Sequence, residues 1–382
     1  MAQIKKRESN FELLRIFAMF LIVWHHLCQH GIYLAPNAPI TFNTIIGKGF
    51  FVWTGNLGNY LFILASGYFV SNSTFSWKRV VKLWFQIFST SVIIGLVFYF
   101  FNLPLVSADV NLYGFYNTME TVGLTEKVFS LRNLIRASLP TLFGNNWFAS
   151  AYLLFYLFTP FLNESLKVLD EKKHRYLIIL MMVVGTIIYM IPGQGIFQSN
   201  NLFYFILGYY IANYIRLYNP KFLQNQKMNI LFAIILSALF VIWIALVLKY
   251  RNSISFINSH FVQVFCYPFA LNRFPALLNA LFVFAFFRNL RVPYNRFINL
   301  IASTTFGIYL IHENPYFNKF LWHKIFKMDS VIDSKILLPY MLFAVVITFV
   351  CCAMVDLLRK RFVEKPFLKL VDKISLSVKS KV

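Results

Sequence analysis

The chain has 382 residues, of which 59% are hydrophobic and 19% aromatic, with 45 phenylalanines and only 14 acidic residues against 36 lysines and arginines. That apolar fraction is far above an average soluble domain, and apolar runs long enough to span about 30 Å of hydrocarbon recur from end to end. No stretch remains for a sizeable water-soluble domain, and a formal charge of +22 scattered through such a chain is not the basic stripe of a nucleic-acid-binding fold.

In chain order, the basic run Lys5-Lys6-Arg7 ahead of an apolar stretch resembles a signal peptide, but no small-residue cleavage site follows and His25-His26 interrupt the pattern. A retained first helix is expected. Apolar runs then predict helices at 11–28, 49–70, 80–101, 146–163, 176–191, 201–217, 229–248, 276–287, 297–312 and 336–358. The run at 276–287 is the weakest, because the aromatic stretch from Phe256 to Ala270 also reads as an interfacial or re-entrant piece ending near Pro268 and Pro275. The long connection 102–145, with Pro104, Asn111, Gly114 and Gly123 beside Tyr113 and Phe115, is expected to fold back over the bundle as a lid. Cys28, Cys266, Cys351 and Cys352 lie in or beside apolar segments without metal-type spacing and read as small buried hydrophobes.

Charge orients this pattern. With the N-terminus inside, 24 basic residues fall in cytoplasmic segments, 11 in outer ones, and Arg15 lies within the first helix. The expected fold is therefore an all-α integral membrane bundle of about ten transmembrane helices, a single domain over 1–382 with both termini cytoplasmic. Its basic tail, 359–382, begins Arg359-Lys360-Arg361. Such residues attract anionic headgroups at about 1 kcal/mol each. The lipid bilayer is one expected partner; nucleic acid is not.

The first helix carries chemistry. Glu12, Arg15, His25 and His26 lie in one apolar segment, where each charged residue costs at least about 2.5 kcal/mol and is a functional candidate by default. Arg15 and His26 are eleven residues apart, so they share a helix face about 16 Å apart along the axis, while His25 points some 80° away. Glu12, three residues before Arg15, can pair with it. The competing reading is that Glu12 and Arg15 snorkel to the inner headgroups and the histidines sit in the outer interface. His25, His26 and His30 also suggest zinc, but no Cys or HExxH element completes a ligand set, so no metal site is expected.

The arrangement acidic-x-x-Arg, ten residues, then His resembles the membrane acyltransferase-3 family, with Glu12, Arg15 and His26 in the matching positions. Similar blocks follow in the family's order. They are Asn59 to Phe69 with Ser66-Gly67; Trp77-Lys78-Arg79-Val-Val-Lys82; Asn146-Trp147-Phe148 with Tyr152 and Pro160; Phe205-Ile-Leu-Gly208-Tyr209-Tyr210; and Ser303-Thr-Thr305-Phe306-Gly307-Ile-Tyr309-Leu-Ile-His312. One departure is Lys82, where the family has a second Arg. Lys lacks the planar fork that grips phosphate bidentately, although it still binds phosphate as a point charge.

The resemblance implies an O-acyltransferase of a bacterial plasma membrane that moves an acyl group, acetyl first, from cytoplasmic acyl-CoA to a glycan hydroxyl. Acyl-CoA is then a substrate, and no tightly bound cofactor is expected. His26 would be the general base, with Arg15 and Glu12 completing the catalytic set and Lys78, Arg79 and Lys82 receiving the donor's phosphates. Asn59, Trp147, Tyr152, Thr305, Tyr309 and His312 would position the acceptor. Plain alternatives stand beside these roles: basic loops are ordinary on the cytoplasmic face, Trp and Tyr anchor interfaces, and hydroxyls and small residues such as Ser66-Gly67 glue helices. The rival function is a transporter or flippase for a lipid-linked glycan, its buried polar residues lining a path. A second copy of the chain or a glycan-assembly system is the protein partner to be expected.

Overall fold

The computed structural model describes residues 8–32, 41–109, 123–141, 146–191 and 200–379. Each of the ten predicted apolar runs lies on a helix: α1 Ser9–His30, α2 Thr54–Val70, α3 Trp77–Phe100, α4 Trp147–Lys167, α5 Glu171–Met182, α6 Asn201–Tyr218, α7 Gln226–Tyr250, α8 Phe274–Asn289, α9 Arg296–His312 and α10 Leu337–Arg359. An amphipathic helix, α11 (Lys365–Lys379), continues from α10 through one π-helical turn. Among the described residues five helical segments are long and apolar enough to cross a membrane: Ser9–His30, Trp77–Phe100, Glu171–Met190, Gln226–Tyr250 and Leu337–Ile374. The others are shorter or more polar; α8, with 16 residues, extends only about 24 Å.

Three segments differ from expectation: the run predicted at 176–191 is regular helix only over Glu171–Met182 and passes through π and 3-10 turns to Met190. The helix predicted from 49 begins at Thr54, because Gly47 and Gly49 sit in a π-helical turn (Ile45–Phe50) ahead of it, and glycine loses the most backbone freedom on entering a regular helix. The aromatic stretch before α8 is broken into two short helices, Ser255–Ser259 and Phe261–Cys266, with Phe261, Phe265 and Phe269 buried.

Helix α1 is the axis of the molecule, packing most extensively on α2 and α9 and also on α8 and α10. Its N-terminal end is pinned where Asn10 donates to the Phe287 and Arg288 carbonyls and Ser9 accepts from the Asn295 backbone. Asn295 also caps α9 by accepting from the Phe297 and Ile298 amides. In lipid, helices associate through close packing and not through apolar burial alone. A Cβ on Gly67 would lie 2.7 Å from Cα of Tyr209, so α2 and α6 touch backbone to backbone there, the packing role expected of Ser66-Gly67. Outward, α7 leaves Leu231, Ile234, Leu239 and Ile242 exposed, as a lipid-facing helix would.

The described parts of the 102–145 connection form a cap. Strands β1 (Pro104–Asp109) and β2 (Gly123–Val128) pair antiparallel, with Pro104 opposite Val128, and a short helix, Leu131–Ala137, follows. Phe98, Phe129, Ala137 and Tyr316 make a small apolar cluster under them. Tyr316 donates to the Asn133 carbonyl, and Lys324 pairs with Glu126. The cap thus rests on the segment after α9; Asn111, Tyr113, Gly114 and Phe115 lie outside the described residues.

Candidate active site

The last turns of α1 and α9 run side by side and bring His26 and His312, both buried, into contact. Nδ1 of His26 is 2.8 Å from Nε2 of His312, and Nδ1 of His312 is 2.6 Å from the Ile308 carbonyl oxygen. A carbonyl only accepts, so His312 must carry its proton on Nδ1 and offer Nε2 as an acceptor. His26 then donates from Nδ1, and its Nε2 keeps a free lone pair. One backbone hydrogen bond, passed through one imidazole, selects the tautomer of the next.

Two further residues complete this cluster. His30, one turn beyond His26, donates from Nε2 to Oε1 of Glu313 at 3.2 Å, while Oε2 of Glu313 lies 3.3 Å from His26 Nδ1. His25 is turned away, donating from Nδ1 to the Val52 carbonyl at 2.5 Å. Of the His25-His26 pair, it is His26 that faces α9. Burial lowers the pKa of Lys319 on the following segment, and the charge of Glu313 works in the opposite direction.

At the other end of α1, Nη1 of Arg15 bonds Oε1 of Glu12 at 2.6 Å, with Glu12 buried. Both line a cavity of about 250 Å³ together with Ser66, Gln86, Phe148, Tyr152, Ser303 and Thr305. Gln86 is buried, and its Nε2 has no hydrogen-bond partner among the described residues. Toward the imidazoles the cavity is closed by aromatic rings: Phe148 stands 5.8 Å from Tyr309, which stands 6.4 Å from His26.

The predicted residues therefore divide. Arg15, Glu12, Tyr152 and Thr305 line the cavity, whereas Tyr309, His26 and His312 lie beyond it. Asn59 is half-buried on α2 and Trp147 packs edge-on against Phe148 at the start of α4; neither lines the cavity. On the first turns of α3, Lys78, Arg79 and Lys82 are exposed. Arg79 shares a helix face with cavity-lining Leu83 and Gln86. Lys82 pairs with Glu364 at 3.2 Å and Lys78 with Asp372 at 2.6 Å, both carboxylates belonging to the C-terminal segment.

That segment corrects one expectation. Arg359 and Lys360 are not a free basic tail. Arg359 is buried against Asp356 (3.0 Å) and Glu364 (2.8 Å), and Lys360 reaches Asp356 at 2.8 Å and the Ser303 carbonyl. An acid at 356 and another at 364, one to two turns either side, turn both cations inward; Arg361 stays exposed.

Sequence reasoning missed Gln86 and Glu313, and gave His30 weight only as a zinc ligand. The signals were present, a lone amide inside an apolar run and a carboxylate directly after the motif histidine. Ligand atoms of His26, His312 and Glu313 all lie within 4.8 Å of one another and could hold a cation. It would have to break the His26 to His312 hydrogen bond, which uses the free nitrogen of His312.

The fold and site define a class: a helical membrane protein that holds a proton acceptor in one fixed tautomer beyond an internal cavity edged by a cation. The family model described as an acyltransferase domain matches residues 8–357, and the chain belongs to the acyltransferase-3 family, whose members are membrane proteins. No curated protein and no solved structure matches it.

Proposed function

We propose that the protein is a membrane-bound O-acyltransferase that carries a short acyl group, acetyl first, from cytoplasmic acyl-CoA to a hydroxyl of a cell-surface or lipid-linked glycan. The observation that carries this reading is the tautomer chain from Ile308 through His312, which leaves Nε2 of His26 as a base. The acceptor oxygen attacks the thioester carbonyl carbon as its proton passes to that nitrogen. The C–O bond forms, the C–S bond breaks, and the proton goes on to the departing sulfur. General-base assistance of this kind is worth about 10²- to 10⁴-fold.

The donor enters from the Arg15 end. Arg15 and Arg79 receive its phosphates, and Gln86 donates to an amide or thioester carbonyl of the arm lying in the cavity. A cavity of about 250 Å³ with aromatic rings at its far wall suits a short acyl group. Passage of the thioester to His26 then requires Phe148 and Tyr309 to part.

The test is membranes containing the protein, given labelled acetyl-CoA and a panel of 4-nitrophenyl hexosides. Label should move to a hexoside hydroxyl in the parent and not in His26→Ala. Labelling that persists in His26→Ala sinks the base; labelling of no acceptor, with unmodified sugar crossing the membrane instead, favours a flippase.

A further inference from the structure

We infer that Glu313, oriented by His30, is a positioning residue that stabilises the His26 imidazolium during transfer; this rests on the reading of His26 as the base. The two oxygens of Glu313 do different things. Oε1 is tied by His30 Nε2 at 3.2 Å, whereas Oε2 is buried, makes no hydrogen bond among the described residues, and lies 3.3 Å from His26 Nδ1. The proton on that Nδ1 is already directed to His312. Oε2 therefore contributes as a charge beside the ring and not as a second acceptor.

A carboxylate so placed gains little from a neutral imidazole. When Nε2 takes the acceptor's proton, positive charge spreads to both ring nitrogens and the nearest formal charge to Nδ1 is Glu313. The attraction is thus larger in the transition state than before it, the condition for raising kcat without tightening substrate binding. Few rival charges face the cluster. His25 is committed to Val52, His312 to Ile308, Tyr309 presents its ring, and Lys319 is the ammonium that senses Glu313 from outside. His30 stands one turn from His26 on α1, and the His26 and His30 rings are 5.7 Å apart. Straightening or shifting α1 would therefore move base and carboxylate together.

The experiment measures transfer from labelled acetyl-CoA to the best-used 4-nitrophenyl hexoside, in membranes, for the parent, Glu313→Gln, Glu313→Asp, His30→Ala, the double variant of His30→Ala with Glu313→Gln, and His26→Ala. Glu313→Gln is expected to lower kcat about 100-fold, within the range of proton-transfer groups, with both KM values unchanged; Glu313→Asp should recover most of it. His30→Ala should cost less and add nothing in the Glu313→Gln background, because the two act as one unit. An unaltered kcat in Glu313→Gln, while His26→Ala is inactive, overturns the role of Glu313 and leaves the base in place. Equal loss in Glu313→Gln and Glu313→Asp, with lowered thermal stability in detergent, would instead show a packing role. Activity in His26→Ala removes the base reading itself.

Discussion

The C-terminal ends of α1 and α9 and the junction of the start of α3 with the end of α10 solve the problem of buried polarity differently. In the first, His26, His30 and His312 gather around the carboxylate of Glu313, joined by hydrogen bonds that assign each proton. In the second, Lys360, Asp356, Arg359, Glu364 and Lys82 alternate in sign along a continuous chain of ion pairs. Among the described residues the first arrangement leaves acceptor atoms open, Nε2 of His26, Nδ1 of His30 and Oε2 of Glu313, whereas the second matches its cations to carboxylates. A group that is to take a proton needs an open valence, and a strut closes its own.

Four substitutions break or sharpen that contrast. His26→Ala should reduce turnover about 10³-fold without loss of membrane protein, read by label transfer alongside an immunoblot. In the ion-pair chain the loss should be of stability instead. Asp356→Ala leaves Arg359 with Glu364 as its one acid among the described residues and Lys360 with none, and should cost about 3 kcal/mol, as removing one member of a buried pair does. Thermal unfolding in detergent measures it, and transfer per folded molecule should be preserved. Gly307→Ala tests the same wall from α9, since its Cβ would fall 2.0 Å from Cγ of Asp356. About 1–3 kcal/mol is expected from the overpacking, and a neutral result would mean that α10 can withdraw freely. The smallest effect is at Glu364→Gln. Freeing exposed Lys82 should lower the KM for acetyl-CoA about threefold, the scale of a partly exposed pair; a raised KM would show that Lys82 is a strut and not a phosphate ligand.

How much of this was legible beforehand depends on the range of the interaction. The ten apolar runs each became a helix because hydrophobic length is local, and the Glu12 to Arg15 pair followed from a spacing of three on one helix. His26 was separable from His25 for the same reason. By contrast Glu313 adjoins a motif residue in the chain, yet its relation to His30 spans 283 positions. Lys82 reads as a solvent-facing cation until Glu364 is folded onto it. Arg359 and Lys360 looked like headgroup-binding charges because composition cannot say which way a side chain turns.

Sequence alone determined the membrane class, the places of the helices and most of their boundaries, and the family, since these rest on apolar length, 3.6-residue periodicity and ordered short motifs. Only the tertiary structure decided that Ile308 sets the proton on His312 and through it the lone pair on His26. It also decided that Lys78 and Lys82 of the basic motif are held by the C-terminal segment. The physical reason is that protonation state and ion pairing depend on distances of about 3 Å between groups that the chain itself separates by hundreds of residues.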